Sequence, residues 1–165
     1  MLGAHTIGTS GSTQKLAKLK TIGLDVAIKT RSPDFADEVR AASGGGANLA
    51  VTLVGGSVFP EIMRALARDG RLAIVGYVDG QYHADIDLTA AHVNRLQIFG
   101  ISNARLTPAE RFETTRGFAR DILPAIVAGR ITPVVDRVFA FDELPAAKAH
   151  MDSDSRVGKV VVKVI

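Results

Sequence analysis

A chain of 165 residues with 47% hydrophobic composition is long enough for one core, since a domain of that size buries about two thirds of its unfolded surface. Charged residues make up 22%, both signs are interspersed and the formal charge is only +3, so the basic stripe of a nucleic-acid binder is missing and no nucleic-acid partner is expected. The absence of Cys excludes disulfides, thiolate nucleophiles and cysteine zinc sites within these residues, and no apolar run approaches the about 20 residues of a membrane span. The amino terminus lacks the charged-then-apolar pattern of a secretory signal, so a soluble, cytoplasmic protein with no membrane partner is expected.

Short apolar runs alternate with amphipathic stretches of ten or more residues, the pattern of strands and helices taking turns in a parallel sheet, so the fold class is α/β. Strands are predicted at Ala4–Gly8, Asp25–Lys29, Leu49–Val54, Arg71–Val75 and Gln97–Ile101, each short and apolar as a strand buried on both faces should be. Helices are predicted near Ser12–Ile22, Asp34–Ser43 and Pro60–Ala67, with Ser12 and Ser32-Pro33-Asp34 as start signals and Gly23, Gly44 and Gly70 as stops. Beyond Ile101 the pattern gives one long helix over Pro108–Ala128 ended by Gly129, a strand over Pro133–Phe139, a helix over Asp142–Asp152 and a closing strand over Lys159–Ile165. The segment after about Thr132 reads as a possible separate lobe.

The turn Gly8-Thr9-Ser10-Gly11-Ser12 joins the first strand to a helix amino terminus, whose unpaired N–H groups and positive dipole suit a phosphate. In a doubly wound domain that binds NAD, the second strand usually ends in an acid that takes the adenosine ribose hydroxyls. No acidic residue precedes Asp25; the turn instead offers the hydroxyls of Thr9, Ser10 and Ser12 and the ammonium of Lys15. That set accepts a 2′-phosphate, so NADPH is the expected cofactor. The same residues also read as a simple helix cap and a solvated lysine, and local sequence does not separate the two.

From Leu2 to Val161 the chain resembles the zinc-independent quinone oxidoreductases, relatives of zeta-crystallin, in the medium-chain dehydrogenase/reductase superfamily. The resemblance rests on Ile7-Gly8-Thr9 with Lys15, Leu53-Val54-Gly55-Gly56, Asp69-Gly70-Arg71-Leu72 with Val75-Gly76, Phe99-Gly100, Pro133 to Phe139, Ala149-His150-Met151 and Gly158-Lys159-Val160-Val161. It implies a doubly wound, Rossmann-like parallel sheet that lacks its first strand and Gly-rich turn, Met1 falling near the end of the helix that follows them. Residues 1–132 are then an incomplete NADP-binding domain, and 133–165 a short carboxy-terminal return of the catalytic, GroES-like domain. By resemblance Lys15 binds the 2′-phosphate, Thr30 stands where relatives place an adenine-stacking Tyr, and Arg31 offers a planar cation as substitute. Val54 and Gly55 line the nicotinamide ribose, Val75, Gly76 and Tyr77 flank the nicotinamide, and Phe99 and Gly100 cross the cofactor near a dimer edge. Thr52 stands where relatives usually carry Asp, and core packing is the competing reading of Val54, Val75 and Phe99.

The implied activity is hydride transfer from NADPH to a small-molecule quinone or other unsaturated carbonyl, with no catalytic acid or base assigned. The alternatives are a non-catalytic truncated module that binds nucleotide or dimerises, and a different doubly wound enzyme such as a methyltransferase, against which the missing acid counts. His83, Asp85 and Asp87 alternate but read better as a solvated loop entering a strand than as a metal site; His5, His92 and His150 read as structural, and no metal is expected. In the strand order three-two-one-four-five-six, Gln97–Ile101 is an edge, uncharged and free of Pro, and a homodimer through it is expected. The same order leaves a slot between Ala4–Gly8 and Leu49–Val54, which the closing strand Val160–Ile165 is apolar enough to fill.

Overall fold

A computed structural model describes residues 3–153 and 156–164. The chain divides by contact into two units, Leu2–Arg105 and Leu106–Ile165, and each is described by itself.

The first unit is α/β. Strand β1 (Ile7–Ser10) pairs in parallel with β2 (Val26–Lys29), and helix α1 (Thr13–Thr21) connects them. Ser12 starts α1 from an extended backbone, its Oγ accepting the Lys15 N–H at 3.3 Å, which satisfies one of the orphan donors of the first turn. The strand lies later than the predicted Ala4–Gly8, so Thr9 and Ser10 are strand residues and the turn proper is Gly11-Ser12. The reason is register: Ile7 to Ser10 pair with Val26 to Lys29, while the preceding Thr6 is held by the side chain of Asp25.

Helix α2 (Ala36–Ser43) leads to β3 (Ala47–Thr52), helix α3 (Phe59–Ala65) to β4 (Leu66–Ile74), and α4 (Leu88–Val93) to β5 (Gln97–Gly100). These strands form a parallel sheet in the order β3-β4-β5. Helix α3 stops two residues before the predicted Ala67, because Leu66 turns extended and pairs opposite Ala47; tertiary pairing overrides its helical propensity. The loop holding His83 and Asp85 leads into helix α4 rather than a strand, Asp87 capping it by accepting the Ala90 N–H at 2.8 Å.

The core gathers Ile28 and Leu72 from strands, Phe35, Ala36 and Val39 at α2, and Ile62 and Ala65 from α3, each larger side chain contributing about 1.5–3 kcal/mol by burial. One carboxylate sits among them: Glu61, 5% exposed, accepts the Ala36 N–H at 2.7 Å and pairs with Arg64 at 2.7 Å. It supplies the cap that Phe35, without a polar side chain, cannot give α2.

Among the described residues no ladder joins the β1-β2 pair to the β3-β4-β5 sheet. Between them lies a cleft of about 700 Å³, lined by residues 4–9 and 46–54 and by Phe35, Val39 and Ile62. Beside it Leu49, Val51 and Leu53 stand at 48%, 58% and 55% exposure, far above what a central strand of a covered sheet shows.

In the second unit the predicted single helix is two, α5 (Pro108–Asp121) and α6 (Leu123–Val127), broken at Ile122. Pro124 has no N–H to continue the ladder and its ring would clash with the Arg120 carbonyl. Thr107 and Glu110 form a capping box on α5. Strand β6 (Val135–Ala140), helix α7 (Leu144–Asp152) and strand β7 (Lys159–Lys163) make a parallel β-α-β unit. The closing strand pairs with β6 from Val135↔Lys159 to Ala140↔Lys163; Ile165 lies outside the described residues.

Candidate functional site

All thirteen residues singled out for the cofactor lie in the first unit, at or just beyond the carboxy-terminal ends of its five parallel strands: Thr9 and Ser10 on β1, Ser12 and Lys15 at α1, Thr30 and Arg31 after β2, Val54 and Gly55 after β3, Val75, Gly76 and Tyr77 after β4, and Phe99 and Gly100 closing β5. In open α/β sheets ligands bind outside this edge.

At the β1 end, the Ser10 hydroxyl accepts the Ser12 N–H at 3.2 Å and the Ser12 hydroxyl the Lys15 N–H at 3.3 Å. Ser12 is thus a cap, and both hydroxyls brace the turn while Thr9 stays exposed. Lys15 lies on the first turn of α1, partly buried, with no acidic residue in that turn. Arg31 reaches across from β2, its Nε donating to the Gly11 carbonyl at 3.3 Å; a Cβ on Gly11 would meet the Arg31 Cγ at 2.9 Å, so glycine there lets the guanidinium arm lie against the turn. Asp25 is at the opposite, amino-terminal end of β2, accepting the N–H and hydroxyl of Thr6 at 2.7 Å each. The Thr30 hydroxyl faces its own loop, 2.6 Å from Asp34 Oδ1 and 2.5 Å from the Ser32 carbonyl. The acid on this edge, Asp34, is thereby engaged by Thr30 and, at 3.3 Å, by the Ser32 hydroxyl.

At the β3 and β4 ends two loops are laced together. Val78 and Asp79 donate backbone N–H groups to the Leu53 and Val54 carbonyls, and Gly56 donates to Gln81, each at 2.9 Å. The Asp79 carboxylate accepts the Ser57 hydroxyl at 2.5 Å, the Ser57 N–H at 3.0 Å and the Gln81 N–H at 2.9 Å. The Ser57 hydroxyl, then the Gln81 N–H, hold this carboxyl below the usual carboxylate range. Gly55 has φ 130°, and a Cβ on it would collide with the same carboxylate; only glycine fits both the backbone and the contact. Tyr77 packs edge-on against Tyr82 at 5.0 Å, and Val54 and Val75 are each 40% exposed, more open than core packing requires. Sequence reasoning missed Asp79 and Ser57: they stand 22 positions apart and no motif links them. Thr52 is buried, its hydroxyl accepting the Val54 N–H at 3.1 Å.

Phe99 and Gly100 lie on β5, whose outer edge is unpaired among the described residues, with Ile98 and Phe99 at 37% and 39% exposure. Elsewhere, in the second unit, His150 Nε2 lies 2.6 Å from Asp136 Oδ2 and its ring is 5.7 Å from that of Phe139, a packing role on the β6–α7 face.

The family model described as "Zinc-binding dehydrogenase" matches residues 1–119. The chain belongs to this zinc-binding dehydrogenase family, and with it to the medium-chain dehydrogenase/reductase superfamily. It is 30% identical, over 98% of its length and 45% of the relative's, to the zinc-type alcohol dehydrogenase-like protein C1773.06c of Schizosaccharomyces pombe, and 26% identical over 99% of its length to quinone oxidoreductase-like protein 2 of Bos taurus, covering 47% of that protein. Among solved structures, a crystal structure of an NAD-dependent alcohol dehydrogenase superposes with a TM-score of 0.79 at 29% identity, covering 99% of this chain and 45% of that one. The chain spans less than half the length of these relatives. Its fold is the Rossmann-like α/β arrangement of the family, and its relatives are oxidoreductases.

The family's name carries zinc. The chain has no Cys and, among the described residues, no group of three or more His, Cys, Asp or Glu is placed to hold a metal ion, so these residues do not fit a zinc centre and no step is derived through one. Among the described residues no helix is long and apolar enough to cross a membrane.

Proposed function

We propose that this dehydrogenase-family chain is the cofactor-binding part of a zinc-independent, NADPH-dependent oxidoreductase that reduces a quinone or other unsaturated carbonyl, residues 1–132 receiving the cofactor and 133–165 belonging with the substrate-binding domain. The observation that carries the reading is the β1 edge: Lys15 stands in the first turn of α1, its backbone N–H on the Ser12 hydroxyl, and the Arg31 Nε reaches the Gly11 carbonyl of the braced Ser10–Ser12 turn, while Asp25, the first acid in the chain, is turned to the far end of β2 on Thr6. An ammonium and a guanidinium favour a 2′-phosphate, whereas a free ribose diol wants a carboxylate acceptor.

Bound there, NADPH would supply hydride chemistry toward a carbon conjugated to a carbonyl, with the balancing proton drawn from solvent water. The chain's residues orient it. Lys15 and Arg31 hold the 2′-phosphate end, Gly55 lets the backbone approach the second ribose, and Val54, Val75, Gly76 and Tyr77 offer an apolar rim at the nicotinamide, with Phe99 and Gly100 beyond. No side chain here is assigned as acid or base. The quinone oxidoreductase-like relative supports the substrate class, and the unpaired outer edge of β5 supports assembly as a homodimer through Gln97–Ile101.

The relative named for NAD makes NADH the competing cofactor, and Lys15→Ala separates the two. A charge-assisted contact contributes about 1.5–3 kcal/mol, so calorimetry should show NADPH affinity falling about tenfold or more and NADH affinity nearly unchanged. Equal loss for both cofactors would remove Lys15 from the 2′-phosphate site.

A further inference from the structure

Asp79 was not among the residues that the sequence tied to the cofactor, yet its carboxylate takes three hydrogen bonds at the strand ends. Three donors converge on its two oxygens: the Ser57 hydroxyl and N–H on Oδ2, and the Gln81 N–H on Oδ1. One side of the clasp is the loop after β4; the other is the turn Leu53–Ser57 after β3, whose Gly55 has no room for a side chain because this carboxylate lies against it. Three backbone bonds run beside the carboxylate, Val78 to Leu53, Asp79 to Val54 and Gly56 to Gln81. They close the loops on one another, and among the described residues it is the Asp79 side chain that hydrogen-bonds Ser57, the residue past the two glycines.

We propose that Asp79 is a positioning residue for the nicotinamide half of the cofactor, its carboxylate clamping the Val54-Gly55-Gly56-Ser57 turn in the shape that receives the second ribose. This rests on the cofactor reading above. Glycine loses more conformational entropy on ordering than any other residue, and this turn has two in succession. An unclamped turn would meet that cost at the moment of binding, whereas a clamped one has met it on folding, which is the gain from preorganisation. The clamp acts at the β3 and β4 ends and leaves the Ser10–Lys15 turn after β1 untouched, so its effect is confined to one half of the ligand.

Asp79→Asn keeps the shape but leaves one acceptor oxygen, so the amide NH2 must face either Ser57 or Gln81, donor against donor. In amide hydrogen exchange of the 165-residue chain, the Ser57 and Gln81 amides should exchange about tenfold faster in Asp79→Asn, with Leu72 and Ala73 in β4 unchanged. NADPH affinity should fall about tenfold, while that of 2′,5′-ADP, which carries only the adenosine half, stays within about twofold; a general loss of structure would weaken both. Ser57→Ala, which removes one donor and keeps the backbone N–H, should move the same readouts in the same direction by less. Unchanged exchange at Ser57 and Gln81 would overturn the clamp, and faster exchange with unchanged NADPH affinity would overturn its positioning role. A wild-type chain that binds neither ligand would contradict the cofactor reading and take the positioning role with it, a result told apart by an exchange pattern that still shows the clamp.

Discussion

Asp25 opens β2 with its Oδ2 accepting the backbone N–H and the hydroxyl of Thr6; first the Thr6 N–H, then the hydroxyl, lower its pKa from the ordinary carboxylate value. A carboxyl lowered in the folded state binds its proton more weakly than in the unfolded chain, so its contribution to stability is present above the unfolded pKa of about 4 and is lost as pH falls through the folded value. Thr6→Val removes the hydroxyl and keeps the β-branch. Its thermal midpoint should lie below that of wild type at neutral pH, and the gap should shrink as pH drops below about 4; a gap that widens on acidification would show that the Thr6 hydroxyl does not stabilise the ionised form. Residues whose partners are local were legible in the sequence: Ser12 caps Lys15 three positions on, as the Ser-led helix start implied. Asp79 was not, because its partner Ser57 is 22 positions away and the two meet only when β3 and β4 lie side by side.

Helices α2 and α3 are tied by Glu61, whose carboxylate supplies the missing cap at Ala36 and pairs with the exposed Arg64. Removing it strands a buried N–H at the start of α2. Glu61→Ala should therefore cost about 1–3 kcal/mol in urea unfolding, and Glu61→Gln, which keeps an acceptor, clearly less; a loss below about 0.5 kcal/mol for the alanine variant would show that Ala36 finds another partner. Alternation of apolar runs and amphipathic stretches placed the longer elements, because buried parallel strands and amphipathic helices differ in period. What escaped was set by tertiary contact or by a single residue: the end of α3 at Ala65, where Leu66 pairs with Ala47, the break at Ile122 forced by Pro124, and α4, one and a half turns capped by Asp87.

At the scale of the molecule, the first unit holds two sheets, β1-β2 and β3-β4-β5, each parallel, with the cleft between β1 and β3. That the strands run parallel was readable because each is short, apolar and followed by its own crossover; the pairing of the closing strand with β6 was not, because it is set by tertiary contact. Strand ends from both sheets carry the candidate cofactor residues, so under the proposed function the adenosine end would meet one sheet and the nicotinamide end the other. The central claim is that the β1 edge selects for a 2′-phosphate. It is tested most directly by calorimetric titration of the wild-type 165-residue chain with NADPH and with NADH under one buffer condition. The account predicts NADPH bound about tenfold or more tighter than NADH; equal affinities, or NADH the tighter, would contradict it.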